Sequence, residues 1–501
     1  MSSALIASAV RPSENVRLTR QHPFAHTLKI AGSFLVVSVV ALFLTGHDYR
    51  YLLAPILAMA TIAVVHISLL SERDGVLPVF EIGTIWLLGT LVYSIVPFVG
   101  FLAAGVQWPA SADGRLLAYQ FDAEEIGLYA WRHVVYIAAF CFPYLAFRGV
   151  RVTRLPSLPR VGSSLVVSLV VLLALEYSFK WAMYFAYGLD LDISYTAIAE
   201  QLAVSASIPY LLLQITLVVL ASMLVVKLAL LIVLIQRRSS VKARAMLMAW
   251  LAVEVLAVLV RGGQRGSAVL LLLGCGLLYH RFVRPLRPAA IAAGGATLLA
   301  GFLLLGIARD AVVNDSGAAL TEVRPLDLLT SQNEFQSVFA TSYDISQRKQ
   351  AGALGDVPLQ LYFVDLYLEI PSQVLPFEKV DPAQWYLDLI GLRNSGVGFM
   401  FGVMSQAAVG FGWIELVLRG VLLGTLFAAF HRWYVRNASR FWATVLYLFV
   451  TIWSYYTFRA TTFWFVHSIV YQFVPVMLAA MLIEAMASRA APPVARQRVR
   501  T

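Results

Sequence analysis

The sequence is poor in charged residues. Only 13% of its 501 residues are charged, against roughly 25% in a typical soluble domain, whereas 60% are hydrophobic. This composition excludes an ordinary soluble globular protein, because a soluble chain of this length needs a more polar surface. The alternating pattern of a membrane β-barrel is absent too, so the spans must be helices that satisfy their own backbone hydrogen bonds.

Cysteines and catalytic motifs are also scarce. The two cysteines, Cys141 and Cys275, lie in apolar runs, so we expect neither a structural disulfide nor a thiolate metal site. No Walker, zinc, Gly-x-Ser-x-Gly or CxxC motif occurs, which leaves an ATPase, a metalloprotease or a serine hydrolase without support. The polar, basic residues 1–21 do not resemble a removable signal peptide. We therefore predict no metal and no cofactor.

Long apolar segments take the place of those motifs, and about twelve of them predict membrane-spanning helices. The predicted spans are Ile30–Leu44, Tyr51–Leu70, Val79–Ala103, Ile126–Phe147, Val161–Tyr187, Ile208–Ile235, Ala245–Val260, Ser267–Tyr279, Ala289–Ala308, Trp413–Phe430, Phe441–Phe458 and Phe463–Met486. The fold class is therefore an all-α, polytopic integral membrane protein.

The charge distribution predicts the topology. From the fourth span onward every second loop is basic, and the alternate loops carry most of the acidic residues, which by the positive-inside bias places both termini in the cytoplasm. The net charge of +10 thus fits topology signals better than nucleic-acid binding. The predicted regions are a cytoplasmic tail (1–29), spans one to nine (30–308), a long external loop (309–412), spans ten to twelve (413–486) and a basic cytoplasmic tail (487–501).

The long external loop holds candidates for a general base. Leu359–Ile370 predicts a short amphipathic helix that Pro371 stops, and Ser395–Phe411 is apolar and glycine-rich, which favours an interfacial position. Asp365 and Glu369 stand at i and i+4 on one helix face, where paired carboxylates could activate a sugar hydroxyl. The alternative is the solvated face of an amphipathic helix.

Arginines on the predicted external side break the charge bias. Arg261 and Arg265 flank a glycine-rich turn, VRGGQRGS, and a guanidinium pair there suits a diphosphate. Arg459 lies in the short turn between the last two spans. The alternative for all three is snorkelling to headgroups or pairing with external carboxylates.

Further charges lie within the predicted spans, where they are costly. Glu176 and Lys180, spaced i and i+4, are expected to neutralise each other, and Arg132 with His133 could line a cavity. A row of such charges could also form a proton path, which keeps a transporter under consideration.

Three stretches resemble the O-antigen polymerases (Wzy-type), the oligosaccharide repeat-unit polymerases. VRGGQRGSAVLLLLG resembles the family's arginine-bearing turn before an apolar helix, and YYTFRATTFWF its late external arginine. LEIPSQVLPFEK, followed by RNSGVGFMFGVMSQAAVGFGWIELVLRGVLLGTLFAAF, resembles the end of its external loop and the entry into the next span. The likeness covers roughly the C-terminal half of the chain.

The resemblance implies a GT-C-like glycosyltransferase in the bacterial inner membrane that polymerises oligosaccharide repeat units linked to undecaprenyl diphosphate, for O-antigen or exopolysaccharide. Its partners are the lipid-linked glycan donor and acceptor, membrane lipids and a chain-length regulator protein. Arg261, Arg265 and Arg459 would bind the leaving diphosphate, and Asp365 or Glu369 would take the hydroxyl proton. The alternatives are a transporter or flippase of a lipid-linked or anionic solute, and an O-antigen ligase. The related ligases carry a histidine in the external loop, which this loop lacks.

Overall fold

A computed structural model describes most of the chain and is helical throughout the described residues. These are residues 24–74, 81–109, 112–149, 158–159, 161–187, 210–237, 240–261, 265–313, 334–368, 370, 374–393 and 399–490. The α-helices are α1 (Phe24–Leu44), α2 (His47–Asp74), α3 (Ile82–Ala103), α4 (Ala123–Phe147), α5 (Ser163–Tyr187), α6 (Tyr210–Gln236), α7 (Val241–Arg261), α8 (Arg265–Phe282), α9 (Pro288–Val313), α10 (Glu334–Gln350), α11 (Val364–Tyr367), α12 (Pro382–Leu389), α13 (Val403–Val409), α14 (Trp413–Asn437), α15 (Phe441–Trp453), α16 (Tyr456–Arg459), α17 (Trp464–Ser468) and α18 (Val474–Ala490). Two 3₁₀ helices, Leu116–Ala118 and Leu359–Phe363, and a π-helical stretch, Ile469–Phe473, complete the set.

Each of the twelve predicted spans coincides with a helix or a helix pair. Six helices of the described residues are long and apolar enough to cross a membrane, and further apolar helices are shorter. The protein is therefore a helical membrane protein, and the count of twelve spans stays a prediction. The last predicted span is interrupted, because α17 passes through the π-helical stretch before α18 continues.

The close crossing of α4 and α14 depends on glycine. A Cβ atom on Gly424 would lie 2.3 Å from the backbone oxygen of Phe140, and one on Gly420 would lie 2.9 Å from that of Tyr136. Small residues four apart let helix backbones approach closely, as in membrane helix pairs of the Gly-x-x-x-Gly type. The crossing therefore fixes the positions of the polar residues of α4 and α14 along the length of the bundle.

The described part of residues 334–412, called the cap segment below, packs onto one end of the helix bundle. Helix α10 is buried along most of its length, and the Phe339 ring lies 5.3 Å from that of Phe98 in α3. Helix α13 is seven residues long and entirely buried. It does not span, as expected, but it is enclosed by other helices instead of lying at an interface.

The predicted amphipathic helix at Leu359–Ile370 is only partly confirmed. A 3₁₀ helix, Leu359–Phe363, leads into a single α-helical turn, α11. The local spacing of apolar residues does not distinguish these two kinds of helix over so few residues.

Two pairs of opposite charges lie in the helices or at their ends. The predicted neutralisation of Glu176 by Lys180 is confirmed by an ion pair of 3.2 Å. At the end of the bundle away from the cap segment, Glu81 and Arg148 are buried and paired, and the Tyr144 hydroxyl donates to Glu81 over 2.6 Å.

Candidate functional site

Asp365 lies in a buried polar cluster under the cap segment. Its Oδ2 is ion-paired with Nη1 of Arg419, and its Oδ1 accepts a 3.3 Å hydrogen bond from the backbone N–H of Phe463. The Gln406 amide donates to Oδ2 over 3.4 Å. Only 7% of the Asp365 side chain is exposed, so the solvated-face alternative does not describe this residue.

Arg419 connects the cluster to a second carboxylate. Its Nη2 lies 2.6 Å from Oε1 of Glu415, one turn earlier on α14, and its Nη1 donates to the Thr462 hydroxyl over 2.6 Å. Both Arg419 and Glu415 side chains are 13% exposed. Two carboxylates therefore share one guanidinium in a largely dry environment, which strengthens their interaction.

A tight turn positions Glu415 at the start of α14. Gly412 has a φ of 62°, a conformation that favours glycine, and directly precedes the helix. Oε2 of Glu415 accepts a 2.9 Å hydrogen bond from the backbone N–H of Phe411. This carboxylate therefore holds the turn with one oxygen and Arg419 with the other.

A cavity of about 390 Å³ opens beside this cluster. Its polar lining comes from Arg132 of α4 and from Ser346, Lys349 and Gln350 of α10, and residues 407, 408 and 410–412 complete the wall. Arg132 thus lines a cavity, as predicted. His133 does not line this cavity: it is buried, with its Nδ1 2.9 Å from the Ser94 hydroxyl.

Arg459 lies at the same end of the bundle but has a carboxylate partner. Its Nε is 2.7 Å from Oε1 of Glu334, and the Tyr93 hydroxyl donates to the same carboxylate. The guanidinium also lies 4.8 Å from the centre of the Tyr456 ring. Pairing with a carboxylate was the alternative stated for this arginine, and its role toward diphosphate stays a prediction.

The described residues do not include Glu369 or the side chains of Arg261 and Arg265. The i, i+4 pairing of Asp365 with Glu369 therefore stays a prediction. The two helices on either side are described, and they end at Arg261 and begin at Arg265. Arg281, in the last turn of α8, lies near His431, in the half of α14 that is remote from the cap segment. Helix α8 has 18 residues, about 27 Å, so Arg265 at its other end lies at the cap end of the bundle.

A network of charged and tyrosine side chains fixes the cap segment to the bundle. Arg115 forms a forked pair with Asp113, with Nε–Oδ1 and Nη2–Oδ2 distances of 2.8 and 2.6 Å, and donates to the Thr341 hydroxyl of α10. Asp344 of α10 accepts hydrogen bonds from Tyr119 and from Tyr386 of α12. These contacts position α10, and with it Lys349.

Glu415 and Arg419 were missed by sequence reasoning, although a signal for them exists. They are spaced i and i+4 at the start of an otherwise apolar span, the pattern that correctly predicted the Glu176–Lys180 pair. Lys349 has no comparable signal, because a lysine near the polar end of an amphipathic helix is ordinary.

Searches against family models, curated proteins and solved structures each gave no match. The resemblance to the polymerases therefore stays a prediction.

Proposed function

We propose that the protein is a glycosyltransferase that polymerises oligosaccharide repeat units carried on undecaprenyl diphosphate at the periplasmic face of the bacterial inner membrane. The observation that carries the proposal is the buried polar cluster around Asp365. It lies toward the end of the bundle where α7 ends at Arg261 and α8 begins at Arg265. A carboxylate and arginines at one end of the bundle are what transfer from a diphosphate leaving group requires.

The proposed reaction is a substitution at one carbon atom. A hydroxyl of the acceptor sugar attacks the anomeric carbon of the donor's reducing-end sugar, a new C–O bond forms, and the bond to the diphosphate oxygen breaks. The hydroxyl proton passes to a carboxylate, and the lipid diphosphate leaves with the bonding electrons. Arg261, Arg265 and Arg459 stabilise the charge that grows on the leaving group.

Of the two candidates for the general base, Asp365 is the one whose contacts the structure describes. Its oxygens accept long hydrogen bonds of 3.3 and 3.4 Å from Phe463 and Gln406 in addition to the Arg419 pair. A carboxylate has about four acceptor sites, so one remains for a substrate hydroxyl. Arg419, by pairing with Asp365, would orient this carboxylate and so act as a positioning residue.

The decisive experiment supplies the purified, full-length protein in nanodiscs with lipid-linked repeat units and separates the products by size. A ladder of longer glycans is expected. If no ladder forms and the intact substrate instead crosses the bilayer of proteoliposomes, the protein is a transporter. Transfer of glycan to a lipid core, without chain growth, would indicate a ligase.

Two arginine variants test the diphosphate role. Arg261→Ala and Arg265→Ala should each abolish chain growth while membrane insertion remains intact. Arg284→Ala is the matched control, because it removes an exposed arginine just beyond the opposite end of α8. Normal chain length in both arginine-turn variants would refute the role.

A further inference from the structure

The cavity beside the Asp365 cluster has a size suited to a small ligand. Its volume of about 390 Å³ falls in the range of small-molecule sites, roughly 300–1,000 Å³. The reaction proposed above assigns no role to it. Its wall residues come from α4, α10 and the turn between α13 and α14, so a ligand there would contact both the bundle and the cap segment.

Arg132 presents a guanidinium without a carboxylate partner. No carboxylate among the described residues lies within ion-pair distance of it, while its carbon Cζ lies 4.8 Å from the centre of the Tyr129 ring and 5.9 Å from that of Trp413. Aromatic contacts use the face of a guanidinium and leave its N–H edge for a planar anion. A carboxylate matches that edge with two parallel hydrogen bonds.

Lys349 supplies a second, oriented donor. Its ammonium donates to the backbone oxygens of Val409 and Gly410 over 2.8 and 2.6 Å. An ammonium has three protons, so one remains for a ligand in the cavity. Burial lowers the pKa of Lys349, and Arg132 lowers it further, while Glu415 opposes the change.

The charge balance indicates how much negative charge the cavity accommodates. Arg132 and Lys349 are the charged side chains of the lining, and the adjacent cluster adds one cation, Arg419, and two carboxylates, Asp365 and Glu415. Three cations against two carboxylates leave one positive charge. One excess charge suits a monoanion better than a diphosphate, which carries several.

We propose that this cavity is a carboxylate-binding subsite for an acidic sugar of the uronic-acid type. Arg132 binds the carboxylate through its forked N–H edge, and Lys349 donates the further hydrogen bond. Phe411, which is 73% exposed at the cavity wall, offers an apolar ring face to the sugar ring. The subsite deepens the proposed function, on which it rests, because it requires a glycan substrate and selects among repeat units by charge.

Ligand-observed saturation-transfer NMR on the full-length protein in phosphatidylcholine nanodiscs tests the subsite. Glucuronate is expected to bind and glucose to bind at least about tenfold more weakly, since hydrogen bonds to a charged group are worth about 1.5–3 kcal/mol, or roughly 10- to 100-fold. Equal binding of the two sugars would overturn the proposal. Inorganic diphosphate that displaces glucuronate and binds more tightly than it would assign the cavity to a phosphate group instead.

Variants of Arg132 test whether glucuronate binds in this cavity. Arg132→Gln should weaken glucuronate binding at least about tenfold. Arg132→Lys keeps the charge but loses the forked pair of N–H donors, so its affinity for glucuronate should lie between those of Arg132→Gln and the wild type. Arg393→Gln is the matched control, because Arg393 is a 69% exposed arginine of the cap segment paired with Asp388. Unchanged glucuronate binding in folded Arg132→Gln and Arg132→Lys protein would refute the assignment.

The binding assay and the ladder assay test the subsite and the polymerase activity separately, so that either proposal can fail while the other holds. Glucuronate binding that depends on Arg132, without any glycan ladder, would support the subsite and count against the polymerase. A ladder from neutral and acidic repeat units alike, with no effect of Arg132→Gln, would support the polymerase and refute the subsite.

Discussion

The shared guanidinium of the Asp365 cluster predicts an asymmetric response to mutation. Asp365→Asn removes one of two carboxylates and leaves Arg419 paired with Glu415 at 2.6 Å. Arg419→Gln removes the cation that the two carboxylates share by direct contact, and leaves both of them largely buried. The second change should therefore be much more destabilising than the first.

The magnitudes follow from burial. Losing one charge-assisted hydrogen bond costs about 1.5–3 kcal/mol, which is the expectation for Asp365→Asn. Breaking a buried pair so that a charge is left without its partner costs about 3–5 kcal/mol, and Arg419→Gln leaves two such carboxylates, 7% and 13% exposed. The double variant Asp365→Asn/Arg419→Gln should be more stable than the sum of the single effects indicates, because it leaves only one carboxylate unpaired.

The assay is reversible unfolding in mixed micelles with increasing SDS, followed by tryptophan fluorescence, for the wild type, both single variants and the double variant. In the ladder assay, Asp365→Asn should also slow chain growth about 100- to 10,000-fold if Asp365 is the base. A purely structural Asp365 would change stability without a comparable loss of activity in protein that is still folded.

Two results would refute the reasoning. Equal destabilisation by the two single variants would mean that the carboxylates do not depend on Arg419. Strict additivity in the double variant would mean that Asp365 and Arg419 do not interact in the membrane-embedded protein.

The other predictions concern the helix crossing, Arg459 and Lys349. Gly424→Ala should destabilise the protein by about 1–3 kcal/mol through overpacking, whereas Gly295→Ala, with open space around its Cβ, should be neutral or slightly stabilising in the same unfolding assay. Arg459→Gln and Glu334→Gln should each lower the stability by about 3–5 kcal/mol in that assay, and their effects should not add in the double variant, since each change leaves a 17% exposed charge without its ion-pair partner. Glucuronate binding should be full while Lys349 is protonated and should weaken as the pH rises through its lowered pKa, so the NMR titration should show loss at a lower pH than in Lys349→Arg. An identical pH profile in Lys349→Arg would contradict a role for this ammonium.

The helices could be predicted from the sequence because their signal is local. An apolar run of about twenty residues has few structural options in a lipid environment, and every predicted span coincides with helix. The Glu176–Lys180 pair was predictable for the same reason, since residues four apart on a helix are neighbours.

The site could not be assembled in this way because its residues are distant in the chain. Arg419 contacts Asp365 across 54 positions, and Arg115 contacts Tyr386 across 271. Helical periodicity carries no information on such pairs. It also gave no reason to expect that α10 and α13 are buried, because the contacts that bury them come from segments distant in the chain, such as that of Phe339 with Phe98.

The crossing of α4 and α14 explains why the two cationic parts of the site lie side by side. Gly420 meets the backbone of α4 at Tyr136, and Arg132 lies one helical turn before Tyr136, toward the cap segment. On α14, Glu415 lies just over one turn before Gly420 in the same direction. The close backbone approach therefore brings Arg132 and the Glu415–Arg419 pair to one level of the bundle. A shift of either helix would separate the cavity from the Asp365 cluster, so both depend on glycine at the crossing.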